Sequence, residues 1–214
     1  MARPSRGGHP KRRVPSERSD ANRAQLLVFV EGLRTEVQYT NLWYRMNRAQ
    51  VLRDIDERHG TPMTLVEAAL AAMRTEQREE RRNRGKAHDE YWCVFDRDEH
   101  PQFDEAVKLA RDNGIGVAMS NPCLELWFVW HFADQTAYAE RDEVQRRAAA
   151  LLDCDKSLTG AALAKLADLE RYEAAKGRAL RMDARHEGDG SVPGANPSST
   201  VHRLIDRIRG TGGA

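Results

Sequence analysis

No stretch of the 214 residues approaches the roughly 18 consecutive apolar residues that cross a bilayer, and the N-terminus carries no apolar core of the signal-peptide type. The expectation is a cytoplasmic chain without a membrane partner. Cysteine is scarce. Cys93, Cys123 and Cys154 are odd in number and lie about thirty residues apart, which suits neither a disulfide framework nor paired zinc ligands. They read as small buried hydrophobes. A charge excess is also missing: 34 basic and 33 acidic residues leave a net charge of +1. Such a molecule does not coat nucleic acid as a polycation would, so any contact of that kind has to be local. The length suffices for one ordinary domain with a real core and a helical appendage, but not for two full domains.

Residues 1–24 hold seven Arg or Lys against two acids and almost nothing apolar. A segment of this composition cannot bury enough surface to offset its ordering entropy, so a disordered basic tail is expected. Its sharper reading is an arm that grips phosphates, with Arg12 and Arg13 as candidate contacts.

From Gln25 onward the pattern changes. Leu26 to Val30 form a short apolar run of the kind buried on both faces of a parallel sheet, and the run stops at Glu31-Gly32. Thr35 and Gln38, spaced as a capping box, then open a helix carrying Tyr39, Leu42, Trp43 and Met46 on one side. Val51 to Asp56 reads as an edge strand because of its charges. Thr61-Pro62 opens a second helix that runs out into the charged stretch Arg74 to Lys86. Tyr91 to Phe95 is another buried-strand run, and it ends in Asp96-Arg97-Asp98. Phe103, Ala106, Val107 and Ala110 mark a helix closed by Asn113-Gly114, followed by a strand over Ile115 to Met119. Ser120-Asn121-Pro122 reads as an N-cap with proline at the first helical position before Leu124, Trp127, Phe128 and His131.

This β-α order predicts an α/β fold: a mainly parallel four-stranded sheet flanked by helices over residues 25–139. Beyond Ala139 the strand signals vanish. Residues 140–214 read as a helical C-terminal extension on the same core, with helices at Arg141 to Leu152, Thr159 to Met182 and Thr200 to Ile208. A Gly/Pro/Ser linker is expected at 188–199.

In an open parallel sheet, ligands gather at the carboxyl ends of the strands. Glu31 stands at one such end. Asp96 and Asp98 stand at another, two residues apart and therefore on one side of an extended segment. Three converging carboxylates repel one another unless a divalent cation neutralises them, and oxygen-only ligands select Mg²⁺ or Mn²⁺. With such an ion, phosphodiester hydrolysis of RNA or DNA becomes feasible, with Glu31, Asp96 and Asp98 as the catalytic and metal-binding set and Glu31 as either base or ligand. Glu36, Glu125 and His100 are candidates for an outer shell, each with a plainer alternative as dipole partner, salt bridge or turn residue. Arg34 and Arg97 are further candidate nucleic-acid contacts. His131 reads as a core histidine, and His202 approaches the site only if the last helix folds back. A strand-end Asp-X-Asp also occurs in nucleotide-sugar sites, against which the Glu31 turn and the short chain argue.

Several segments together resemble one known family. Glu31-Gly32-Leu33-Arg34-Thr35-Glu36 with Tyr39, Val94 to His100, Ser120 to Trp127 with His131-Phe132, and Asn196-Pro197-Ser198-Ser199 with Val201-His202 look like the RloB family over roughly residues 25–208. The resemblance implies a Toprim-like fold in which Glu31 matches the Toprim glutamate and Asp96 with Asp98 the Asp-X-Asp pair. It also implies a phage-defence effector of abortive-infection or restriction loci, cutting nucleic acid under control of an AAA-type ATPase partner. The rival expectation is a catalytically silent Toprim-like module that docks to an ATPase and senses.

Overall fold

The computed structural model describes residues 23–211 apart from 33, 49, 57–59, 98, 99, 101, 155, 156 and 193. The basic tail with Arg12 and Arg13, and the second aspartate of the pair, Asp98, lie outside the described residues.

The apolar runs form the strands they predict: β1 (Ala24–Val30), β2 (Val51–Asp56), β3 (Glu90–Asp96) and β4 (Gly116–Asn121). They pair in parallel, and β2 is the edge that its charges suggested, in the order β2-β1-β3-β4-β5. The last member, β5 (Ser198–Ser199), was not expected. It runs antiparallel to β4, pairing Ser199 with Ser120 and Ser198 with Asn121 inside the Gly/Pro/Ser stretch. The sheet therefore has five strands and not four.

Alternation along the strands divides the interior. On one face Leu27 and Phe29 of β1 and Tyr91, Cys93 and Phe95 of β3 pack on α2 (Pro62–Arg81) and α3 (Phe103–Asp112). On the other, Leu26, Val28, Val30 and Val94 meet α1 (Thr35–Met46), α4 (Leu124–Trp130) and the C-terminal helices. Those are α5 (Arg141–Leu152), α6 (Gly160–Leu166), α7 (Leu169–Gly188) and α8 (Val201–Arg209). The single helix expected from Thr159 to Met182 is thus two, because Asp168 caps a new one by accepting from the Arg171 N–H at 2.9 Å.

Two start signals were misread, both through long-range partners. Thr35 is the first helical residue and not the cap, and Gln38 bonds the Leu158 backbone in both directions, its Oε1 accepting from Leu158 N at 3.0 Å. Pro122 is likewise not the first residue of α4. Pairing with β5 holds β4 extended through Asn121, the Asn121–Pro122 bond is cis, and Cys123 becomes the N-cap. Thr61, by contrast, caps α2 as its sequence predicts, and Gly114 takes the left-handed conformation after α3.

The largest buried side chains meet between α1, α4 and α7. Trp43, Trp127, Tyr39 and Tyr172 are fully buried, and the Trp127 indole N–H donates to the Tyr39 hydroxyl at 2.7 Å. Tyr39→Phe keeps the ring but leaves that indole donor buried without its acceptor. The expected cost is about 1–3 kcal/mol, read as a lower urea midpoint at unchanged slope. A fall of a few tenths would show that the bond contributes little. The C-terminal helix is fastened similarly: Tyr172 donates to Asp206 at 2.7 Å and Lys176 pairs with its other oxygen at 2.6 Å.

Candidate functional site

Glu31 directly follows β1, and its N–H still donates to Val94 O at 3.0 Å, extending the β1–β3 ladder by one bond. Its carboxylate turns across the strand ends: Oε2 accepts from the Asp96 N–H at 3.0 Å, while Oε1 lies 3.6 Å from His100 Nε2. Glu31 and Asp96, 65 residues apart, are therefore neighbours, as their positions on adjacent parallel strands require.

Asp96 ends β3 with its side chain only 13% exposed. Its Oδ2 meets Arg141 Nη2 at 3.0 Å, and the same nitrogen approaches Pro122 O at 3.4 Å. Burial drives the Asp96 carboxyl well above the usual range. Arg141 opposes that rise, and Glu36, Glu125 and Glu31 reinforce it. Glu36 is also raised, first by burial and then by Glu125 and Glu31 against its own backbone N–H and Arg141. Four carboxylates thus act on one another around one guanidinium. Gly32 makes room for one of them, since a Cβ there would stand 1.9 Å from Glu36 Oε2. A side chain at position 32 would push the flexible end of Glu36 out of that space.

The remaining sequence candidates fall on either side. His100 lies at the site, half-buried beside Glu31. Arg97 lines the same rim, 3.5 Å from Asp104 and over the Phe103 ring. Arg34 is the exposed N-cap of α1. His131 and His202 are buried against Trp127, and His131 Nδ1 meets Trp127 O at 2.9 Å. The last helix does fold back onto the core, and it brings His202 to Trp127.

One participant escaped the sequence reading. Arg141 is the first residue of α5, where the helix dipole disfavours a cation. That misfit was the available signal that its partner lies elsewhere. Cys123 is buried beside Glu125, and burial with the Glu125 and Asp96 charges pushes its thiol up, so it is protonated and inert. Cys93, pushed up to about 12 by burial, is equally unreactive.

A cleft of about 620 Å³ opens on the Arg141 side, lined by Arg97, His100, Asn121, Tyr138, Arg141 and Asn196. Asn121 and Asn196 are fixed by backbone bonds to Gly194 and Ala139, so the rim is preorganised.

Among the described residues, no three His, Cys, Asp or Glu side chains are already arranged as a metal cage. The donor chemistry nonetheless fits a hard divalent cation: clustered carboxylate oxygens, a buried Asp96 whose charge is disfavoured, and a guanidinium as the cation now set against it. Glu31 and Asp96 would hold the ion, with Glu36 and Glu125 behind them.

No helix among the described residues is long and apolar enough to span a membrane. No curated protein and no solved structure matches the chain. A family model described as RloB-like protein matches residues 26–208, nearly the whole described fold. With its strand-end acids and late Asn-Pro strand in place, the chain belongs to the RloB-like family.

Proposed function

We propose that the protein is a metal-dependent nuclease, hydrolysing phosphodiester bonds of RNA or DNA at the Glu31–Asp96 centre. The observation that carries this reading is Glu31, at the end of β1, accepting from the Asp96 N–H at the end of β3 at 3.0 Å, with Glu36 and Glu125 near enough for their charges to act on Asp96. A bound Mg²⁺ or Mn²⁺ supplies Lewis-acid polarisation of the phosphate and a more acidic water. The chain's own residues do the rest. Arg141 and Arg97 attract and orient the phosphodiester in the adjoining cleft, Asn121 and Asn196 hold the rim of that cleft in place, and His100 stands beside Glu31. The resemblance to phage-defence proteins supports an effector role with an AAA-type ATPase partner as its control.

Purified protein should cleave labelled RNA or DNA with Mg²⁺ or Mn²⁺, with the ATPase supplied in a parallel reaction, and lose cleavage in EDTA. Equal inertness of wild type and Asp96→Asn under all these conditions would sink the proposal. The rival, a silent sensing module, draws support from one feature: Arg141 already neutralises Asp96. It requires that the protein bind the ATPase but leave every nucleic acid intact.

A further inference from the structure

We infer that the groove on the other side of the carboxylate cluster is a pocket for an unstacked nucleobase, so that the strand held at the acidic centre is single-stranded. This deepens, and rests on, the nuclease reading above. The groove measures about 770 Å³ and lies between the start of α1, α4, α5 and the turn after α5. That is within the range of pockets that enclose small molecules, about 300–1,000 Å³. Its apolar lining is Ala149 and Cys154 over the buried Phe128, Leu152 and Leu158, and Gln145, Asp142 and Arg146 stand along it. Leu158 is anchored there by the paired bonds from Gln38, so the wall is fixed.

Glu125 joins the groove to the metal centre: it lines the groove and its charge acts on both Asp96 and Glu36. At the N-terminus of α5 the two cavities part. Arg141 lines the basic cleft and the next residue, Asp142, lines the groove. This sorts the parts of a nucleotide by charge. A phosphate is drawn to the side where Arg97 and Arg141 outnumber Glu140, and disfavoured where Glu125 and Asp142 outnumber Arg146. A base suits the groove in size and polarity, because its flat apolar face can lie along Ala149 and Cys154 while Asp142 and Gln145 accept from amino and ring N–H groups. A base stacked within a duplex cannot enter, whereas single strands present theirs freely.

The test measures binding by anisotropy in EDTA and again with Ca²⁺. Three labelled ligands of equal length are compared: a mixed-sequence single strand, the same strand with abasic sites, and the duplex. The intact single strand should bind about tenfold or more tighter than the other two. Ala149→Trp, which fills the groove from the half-exposed face of α5, should abolish that preference while leaving abasic affinity unchanged, and Gln145→Ala should reduce it. Equal affinity for intact and abasic strands, or an undiminished preference in a folded Ala149→Trp protein, overturns the pocket even if cleavage is seen. Base-dependent binding without any cleavage upholds the pocket and sinks the nuclease reading instead. No binding of any strand overturns both.

Discussion

Replacing His131 with phenylalanine is expected to make the protein more resistant to acid, with wild type losing about 3 kcal/mol relative to the variant between pH 7 and pH 4. His131 is 2% exposed at the end of α4, and burial, with Arg171 and Arg178 adding to it, lowers its pKa to about 4. The Trp127 carbonyl and Asp168 oppose that fall without reversing it. In the unfolded chain the imidazole takes a proton near pH 6.5; in the folded chain it stays neutral until about 4. Between those values the unfolded state binds more protons, so stability falls as pH falls, and the loss is nearly complete at the folded value.

Phenylalanine suits the site. Among the described residues His131 Nε2 has no hydrogen-bond partner, and the ring packs edge-on to Trp127 and Tyr39. Removing an unsatisfied buried nitrogen offsets much of the lost Nδ1 contact. The comparison between variants matters because Asp96 and Glu36 run the opposite way: their raised carboxyls stabilise the fold below the ordinary range and cost stability as pH rises through the folded values. Those contributions cancel in the difference. His202, 4% exposed and also lowered to about 4 by burial, Arg203 and Lys176, should behave alike in His202→Phe. Urea titrations at pH 7, 6, 5 and 4 decide it; parallel stability curves for wild type and both variants would refute the claim.

The same burial logic explains what could and could not be seen in the sequence. The four parallel strands were legible because each needs apolar side chains on both faces, and Leu26 to Val30 or Tyr91 to Phe95 admit little else. Glu31 and Asp96 were legible because an acid closing such a run stands at the ligand-binding edge. Features fixed by distant partners were not. Ser198–Ser199 is a two-residue polar strand with no periodicity, and it exists because Ser120 and Asn121 stand opposite. Gln38 looked like half of a local capping box but serves Leu158, 120 residues away. Arg141 carries no motif at all; its role follows only from α5 starting beside β3. The RloB-like resemblance located the acids but is silent on the groove behind Glu125.

Asp96→Asn should raise the stability of the metal-free protein at pH 8 while lowering the proposed metal-dependent cleavage by roughly 100-fold or more. Both directions come from the same crowding. With no divalent ion, burial above all disfavours the Asp96 charge, Glu36, Glu125 and Glu31 add to that, and Arg141 opposes it. An amide removes that charge, keeps the shape, and leaves Arg141 free to turn to the neighbouring acids. Wild type should recover stability in Mg²⁺, because a ligand that binds only the folded state stabilises it by mass action, and Asp96→Asn should show little of this gain. Thermal melts in EDTA and in Mg²⁺ give four midpoints that separate the cases. A metal centre predicts variant above wild type in EDTA and a large Mg²⁺ shift in wild type alone. If Asp96 were only the structural partner of Arg141, its loss would instead lower the midpoint in both solutions, since breaking a buried pair strands the remaining charge.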